Sequence, residues 1–229
     1  MGYRLLTCLL VLALSLVGCA NSYHWSKRHP AYTQPPYGEL AITGLEKAFV
    51  LTRTKWFANR LGYGDSTQVK ATAFCANAMK AEFQSLYSKL TVLPDSSLAK
   101  SPEESLKLDE RIFIKGILPE QGISITAPDG KIPPQILLVH EVIIGTDLKR
   151  ENFFDYALIH NESEEKREVQ NISAIVSYTL WDNIRQRPLF SAVDEIQHPV
   201  RTLTEQDMQQ LMHLTVQQIR KNLYQGAGR

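Results

Sequence analysis

One stretch confines the fold more tightly than any other. From Ile172 to Leu180 the residues Ile172, Ala174, Val176, Tyr178 and Leu180 alternate with a second set that includes Ser173, Ser177 and Thr179. A period of two residues puts each set on its own face of a strand, a partition that a helix does not reproduce. Asp182 to Pro188 then makes a turn, and Leu189 to Ile196 returns as the hairpin partner. A hairpin with an apolar face must bury that face against another layer, so the chain is committed to a packed sheet.

The other segments divide between strands and helices. Gln135 to Gly145 is a run of Ile, Leu and Val suited to a central strand buried on both faces. Glu46 to Arg53, Leu90 to Leu93 and Phe153 to His160 fit shorter strands. Ile112, Ile114 and Ile117 favour a strand over Arg111 to Leu118, although this stretch can also be read as a helical continuation. Val69, Ala76, Met79, Phe83, Leu86 and Leu90 recur every three or four residues after a cap at Asp65 or Ser66. That spacing predicts an amphipathic helix of about 22 residues, with Cys75 as a small core residue. Ser101-Pro102-Glu103-Glu104 has the form of a helix start. Thr204 and Asp207 form a capping-box-like pair ahead of a terminal helix whose stripe is Met208, Leu211, Met212, Thr215, Ile219 and Leu223. Asn161 to Gln170 is highly charged and reads as a solvated loop. The expected fold is α+β, an α/β sandwich in which two long helices pack against a mixed sheet. It forms a single domain over residues 39–229.

The amino-terminal stretch is of another kind. Arg4 precedes an apolar run from Leu5 to Leu16, followed by Leu16-Val17-Gly18-Cys19. This is the layout of a signal peptide over residues 1–18. As a helix the run spans roughly 18 Å, short of the ~30 Å hydrocarbon layer. The last four residues resemble the lipobox of bacterial lipoproteins. The resemblance implies that Cys19 becomes the first residue of the mature chain and carries a diacylglyceryl thioether and usually an N-acyl chain such as palmitate. It also implies that Ala20, in the position after the cysteine, favours sorting to the outer membrane. Residues 19–38 contain Pro30, Pro35 and Pro36 with scattered Tyr and His and no apolar period. They read as a flexible tether, with Trp25 and the tyrosines resting at lipid headgroups as the other reading.

Composition narrows the function. Without residues 1–18 the chain has 211 residues and equal numbers of basic and acidic side chains, because Arg4 is the only charge in the leader. A neutral domain gives no electrostatic case for nucleic acid. Of the cysteines Cys8, Cys19 and Cys75, only Cys75 is left unmodified, so neither an intrachain disulfide nor a Cys-x-x-Cys metal site is expected. His140-Glu141 opens like a zinc-protease helix, but Ile144 stands where the second histidine is required. His24, His29, His140, His160, His198 and His213 show no metal-ligand spacing; a weak metal site at His24 and His29 is a minor alternative. No nucleophile elbow or phosphate-binding glycine loop is present. No catalytic residue, cofactor or metal is therefore expected. Trp181 and Phe190 flank the hairpin turn, and such aromatics serve either as anchors of a partner surface or as core packing at a strand end.

Val176-Ser177-Tyr178-Thr179-Leu180-Trp181-Asp182, the turn to Pro188, Leu189-Phe190-Ser191-Ala192 and the helix from Thr204 to Leu223 resemble a group of bacterial envelope lipoproteins. The group includes the curli secretion channel protein and the penicillin-binding-protein activator lipoproteins, whose domains are like the N-terminal domain of TolB. The turn departs from that pattern, with Arg185-Gln186-Arg187 in place of Thr-Gly or Ser-Gly, and Gln121 to Pro134 is an added loop. The resemblance implies a non-catalytic lipoprotein held at the periplasmic face of the outer membrane through acylated Cys19. There it would bind or position another cell-envelope protein. A ligand-binding or transport-accessory lipoprotein is the alternative, and would need a deep apolar pocket. A hydrolase would need a serine, a histidine and an acid converging in a cleft.

Overall fold

The computed structural model of the chain describes residues 24–98, 103–108, 110, 112–146 and 171–227. Cys19, the strand expected over Phe153 to His160 and the charged loop expected over Asn161 to Gln170 lie outside them. In chain order the strands and helices are β1 (His24–Arg28), β2 (Glu39–Thr43), β3 (Phe49–Leu51), α1 (Thr54–Leu61), α2 (Thr67–Leu86) and β4 (Lys89–Val92). Next come β5 (Glu103–Lys107), β6 (Phe113–Ile117), β7 (Gln135–Thr146), β8 (Asn171–Asp182), β9 (Arg187–Pro199) and α3 (Glu205–Ala227).

The hairpin read from the alternating stretch is the spine. β8 is antiparallel to β7 on one side and to β9 on the other, with Val176 opposite both Val142 and Asp194. The sheet runs β1-β9-β8-β7-β2-β4, and β3 also pairs with β7. β2 and β3 run parallel to β7, and β4 runs parallel to β2, so the sheet is mixed and the fold is α+β as expected. Ile172, Ala174, Val176, Tyr178 and Leu180 face the helices and join the main core with Phe57 of α1, Met79 and Phe83 of α2, and Leu211, Val216 and Ile219 of α3. Each such fully buried aliphatic or aromatic side chain stabilises the fold by about 1.5–3 kcal/mol. Cys75 is among them, fully enclosed, and burial pushes its thiol up to about 12, so it is an inert core residue. Thr204 and Asp207 cap α3 reciprocally: the Thr204 N–H donates to Asp207 Oδ2 at 2.8 Å and the Asp207 N–H to Thr204 Oγ1 at 3.3 Å.

The second face of the sheet is covered as well. β5 and β6 form a two-stranded hairpin that lies over it, so that Leu108 and Ile114 pack on Ile175 and Val193. Leu118, Ile125 and Ala127 from the following loop cover Ile136, Leu138 and Trp181. Ser173, Ser177 and Thr179, which alternate with the apolar set, are therefore buried too.

Four expectations are corrected. Glu103 and Glu104 begin a strand, not a helix, because Leu106 and Leu108 are two residues apart and meet the sheet with strand periodicity. Val69 is 71% exposed and lies off the apolar stripe of α2, which ends at Leu86, so that Leu90 belongs to β4. α1 was not foreseen; its one fully buried side chain, Phe57, is too sparse a signal to give a helical period. The tether over residues 19–38 does not extend through residues 24–38. Here β1 closes the open edge of β9, with Trp25 opposite Val193. Tyr32 is 1% exposed, and its hydroxyl donates to the Leu223 carbonyl at 2.8 Å. A single long-range aromatic contact leaves no periodic trace in sequence.

Where β2 ends against β7, space dictates the residue. Gly44 has φ of 91°, and a Cβ there would lie 1.9 Å from the Val139 carbonyl oxygen, beside the register shift between Val139 and Glu141. Only glycine fits both demands. Gly44→Ala is expected to lose about 3 kcal/mol or more in urea unfolding, through combined backbone strain and steric clash. A loss below about 1 kcal/mol would show that this junction relaxes freely.

Candidate functional site

Among the described residues a dense polar cluster is built around Asp194, in the middle of β9 and fully buried. Three elements converge on its carboxyl group. The Tyr178 hydroxyl of β8 donates to Oδ2 at 2.8 Å, and the Asn222 amide of α3 reaches Oδ1 at 2.9 Å and Oδ2 at 2.8 Å. From β1, His24 Nδ1 lies 2.5 Å from Oδ1. Burying a carboxyl group without partners is costly, so these contacts are required of the fold, not incidental to it. Burial, then the nearby Asp194, pushes the Tyr178 hydroxyl well above its ordinary range and keeps it a donor.

The cluster extends outward. His24 Nε2 lies 3.0 Å from Ser26 Oγ, which is exposed on the same strand. Hydroxyl, imidazole and buried carboxyl thus stand in the order of a nucleophilic relay. His24 and Ser26 are two residues apart on an edge strand, and they line neither of two concavities found among the described residues. One, of about 90 Å³, lies between β2, β4 and the loop through Asp129 and Pro134. The other, of about 240 Å³, is polar and shallow, with Gln206, Gln209 and Gln210 of α3 around the Glu82–His213 pair at 2.8 Å. Both fall below the ~300–1,000 Å³ of ordinary small-molecule sites, and neither is the deep apolar pocket that the ligand-binding alternative requires.

A second polar row crosses the other face. His140, at the register shift of β7, has Nε2 2.8 Å from Thr179 Oγ1, which is 3.0 Å from Ser191 Oγ. Gly116 of β6 presses on its ring: a Cβ there would come within 2.6–2.8 Å of the imidazole. Burial lowers the His140 pKa to about 4, so the ring is a neutral hydrogen-bonding group. Among the described residues no three His, Cys, Asp or Glu side chains gather as a metal site.

Trp181 and Phe190 are not surface residues, which corrects the reading of them as a partner surface. They are 2% and 3% exposed and belong to different cores, Trp181 to the loop-covered face and Phe190 to the helix-covered one. Adjacent strand positions on the hairpin send the two rings to opposite sides of the sheet. The Asp194 cluster was missed from sequence because its members lie up to 198 residues apart. A charged residue inside an apolar strand, Val193-Asp194-Glu195-Ile196, was the one signal that could have pointed to it.

No family model matches the chain, and no curated protein matches it. Among solved structures, a chain of the PelC dodecamer from Paraburkholderia phytofirmans aligns at 12% identity and a TM-score of 0.37, covering 91% of this chain and 99% of that one. The dodecamer of a PelC point variant from the same organism aligns at 12% identity and a TM-score of 0.36, covering 87% and 97%. Likeness of this degree carries no argument about function.

Two measurements probe the polar residues. Asp194→Ala strands Tyr178 and Asn222 and is expected to lose about 3–5 kcal/mol in denaturant unfolding, whereas His24→Ala loses about 1–2 kcal/mol. Equal, small losses would mean that the cluster does not hold β1 to the core. For His140 the folded pKa lies below that of the unfolded chain, ~6.5, so between the two values the unfolded state binds more protons. Its contribution is present in full above pH ~6.5 and is lost as pH falls toward 4, by about 3 kcal/mol in all. His140→Gln should flatten this part of the stability profile; an unchanged slope would assign it to other groups.

Proposed function

We propose that the chain is a bacterial envelope lipoprotein, cleaved before Cys19 and acylated on that residue. It presents one α+β domain at the periplasmic face of the outer membrane and there binds or positions another envelope protein without catalysis. The observation that carries the reading is the Leu16-Val17-Gly18-Cys19 sequence directly behind the apolar run from Leu5. One further point supports it. The described residues begin with His24 of β1, five positions after Cys19, so the proposed anchor lies close in sequence to the packed domain. The β8–β9 hairpin followed by α3 is the element order of the TolB-N-terminal-like domains that the sequence resembles, and the assignment of the domain to that group is part of the proposal.

A second reading rests on the Ser26–His24–Asp194 order. A hydrolase would use Ser26 as nucleophile, and a fluorophosphonate probe would then label the wild type but not Ser26→Ala or His24→Ala. The position of these residues on an edge strand, away from both concavities, favours their role as a structural clamp.

The primary reading is tested by expressing the full chain and its Cys19→Ala variant in a bacterium fed with labelled palmitate. The wild type is expected to take up label and sediment with the outer membrane, and the variant to do neither. After crosslinking, an envelope protein recovered with the wild type and lost with the variant would identify the partner. Equal fractionation of the two chains, with no label in either, would remove the anchor and the localisation built on it.

A further inference from the structure

The domain's approach to the membrane follows from how near Cys19 lies to β1 in the sequence. His24 is five residue steps beyond Cys19, and fully extended these span at most ~17–18 Å. A lipid on Cys19 therefore keeps the domain against the bilayer, and some part of its surface must meet the headgroups. This argument rests on the lipid-anchor reading above.

One face has the chemistry to do so. β1 places Trp25 and Lys27 on the side of the sheet that the β5–β6 hairpin covers, and Trp25 packs on the cluster of Leu108, Ile114, Ile175 and Val193. The outward side chains of the hairpin are Glu103, Ser105 and Lys107 on β5, opposite Ile117, Lys115 and Phe113 on β6. Phe113 is 54% and Ile117 43% exposed, an unusual exposure for two large apolar groups on one strand. Packed layers stand ~10 Å apart, so the outer surface of the hairpin is within reach of a lipid tethered ahead of Trp25. Phe113 and Ile117 flank Lys115, with Lys107 opposite Phe113 and Glu103 opposite Ile117, so two apolar groups and two lysines share this face with one carboxylate. Such a set matches the boundary between acyl chains and phosphates, where rings lie at headgroup level and lysine stems extend to the phosphates.

We infer that the outward face of the β5–β6 hairpin, with Lys27 beside it, rests on the phospholipid surface. Phe113 and Ile117 enter the headgroup layer, and Lys27, Lys107 and Lys115 meet lipid phosphates. The helix layer of α2 and α3, on the opposite side of the sheet, is left facing away from the bilayer and open to a protein partner.

The test uses the mature, lipidated protein in phospholipid vesicles containing anionic phosphatidylglycerol. Cys75 is buried, so a cysteine introduced on the surface can be labelled selectively with an environment-sensitive dye. Ser105→Cys reports on the outward face of the hairpin, and Val69→Cys, exposed on α2, reports on the far side. The dye at 105 is expected to shift to the blue and to be quenched severalfold more by brominated phospholipid than the dye at 69. The double change Phe113→Ser and Ile117→Ser, at exposed positions, should abolish that difference while leaving the thermal unfolding cooperative. Intact mass separates the two ways of failing. Protein without lipid overturns the anchor reading and the inference with it. Lipidated protein whose dye at 105 stays in water, or whose dye at 69 is the one immersed, overturns the docked face alone.

Discussion

Asp194 is the residue that the arrangement of layers depends on. A carboxyl group fully buried in the middle of a strand is tolerable only with its oxygens satisfied, and its partners come from β1, β8 and α3. The requirement therefore fixes three relationships together: the register of β8 against β9, the seat of α3 on the sheet, and the closure of the β9 edge by β1. Apolar packing alone would tolerate small slips of α3 along the sheet, whereas the hydrogen bonds to Asn222 and Tyr178 do not. A satisfied polar network of this kind costs desolvation and returns a unique arrangement, and a half-satisfied one would be worse than none.

The second constraint is that the sheet has no solvated face. Helices cover one side and the β5–β6 hairpin with its following loop covers the other, so β8 is buried along nearly its whole length. Some polar residues on the hairpin side are satisfied by local bonding, as in the row from His140 through Thr179 to Ser191, whereas the Ser173 hydroxyl and the Trp181 indole N–H are buried without a hydrogen-bond partner among the described residues. Close approach of the covering layer also explains Gly116, where any side chain would strike the His140 imidazole.

Both constraints bear on function through geometry. Because the Asp194 cluster holds β1, it also holds the described part of the chain nearest the proposed lipid, with His24 five positions after Cys19. Under the proposed acylation of Cys19, a domain tied so closely would present a fixed side to the bilayer, unlike one on a long flexible tether. In the same clamp the His24 imidazole bridges the buried Asp194 carboxyl and the Ser26 hydroxyl two residues along the edge strand.

The sequence by itself determined the elements with strong periods. The alternation from Ile172 to Leu180, the apolar run of β7 and the stripes of α2 and α3 were all legible, because each reports burial of one side of a regular element. The capping pair Thr204 and Asp207 was legible too, because its hydrogen bonds span three residues. What required tertiary structure were contacts between distant parts of the chain. Glu103 and Glu104 carry a local helix-start signal that pairing with β6 overrides. Residues 24–38 look structureless in isolation, and only the open edge of β9 and the pocket that takes Tyr32 order them. Trp181 and Phe190 flank one turn, yet only the presence of a layer on each side of the sheet made both of them core. Local spacing records which way a side chain points within its own element, while its surroundings depend on what the rest of the chain brings over it.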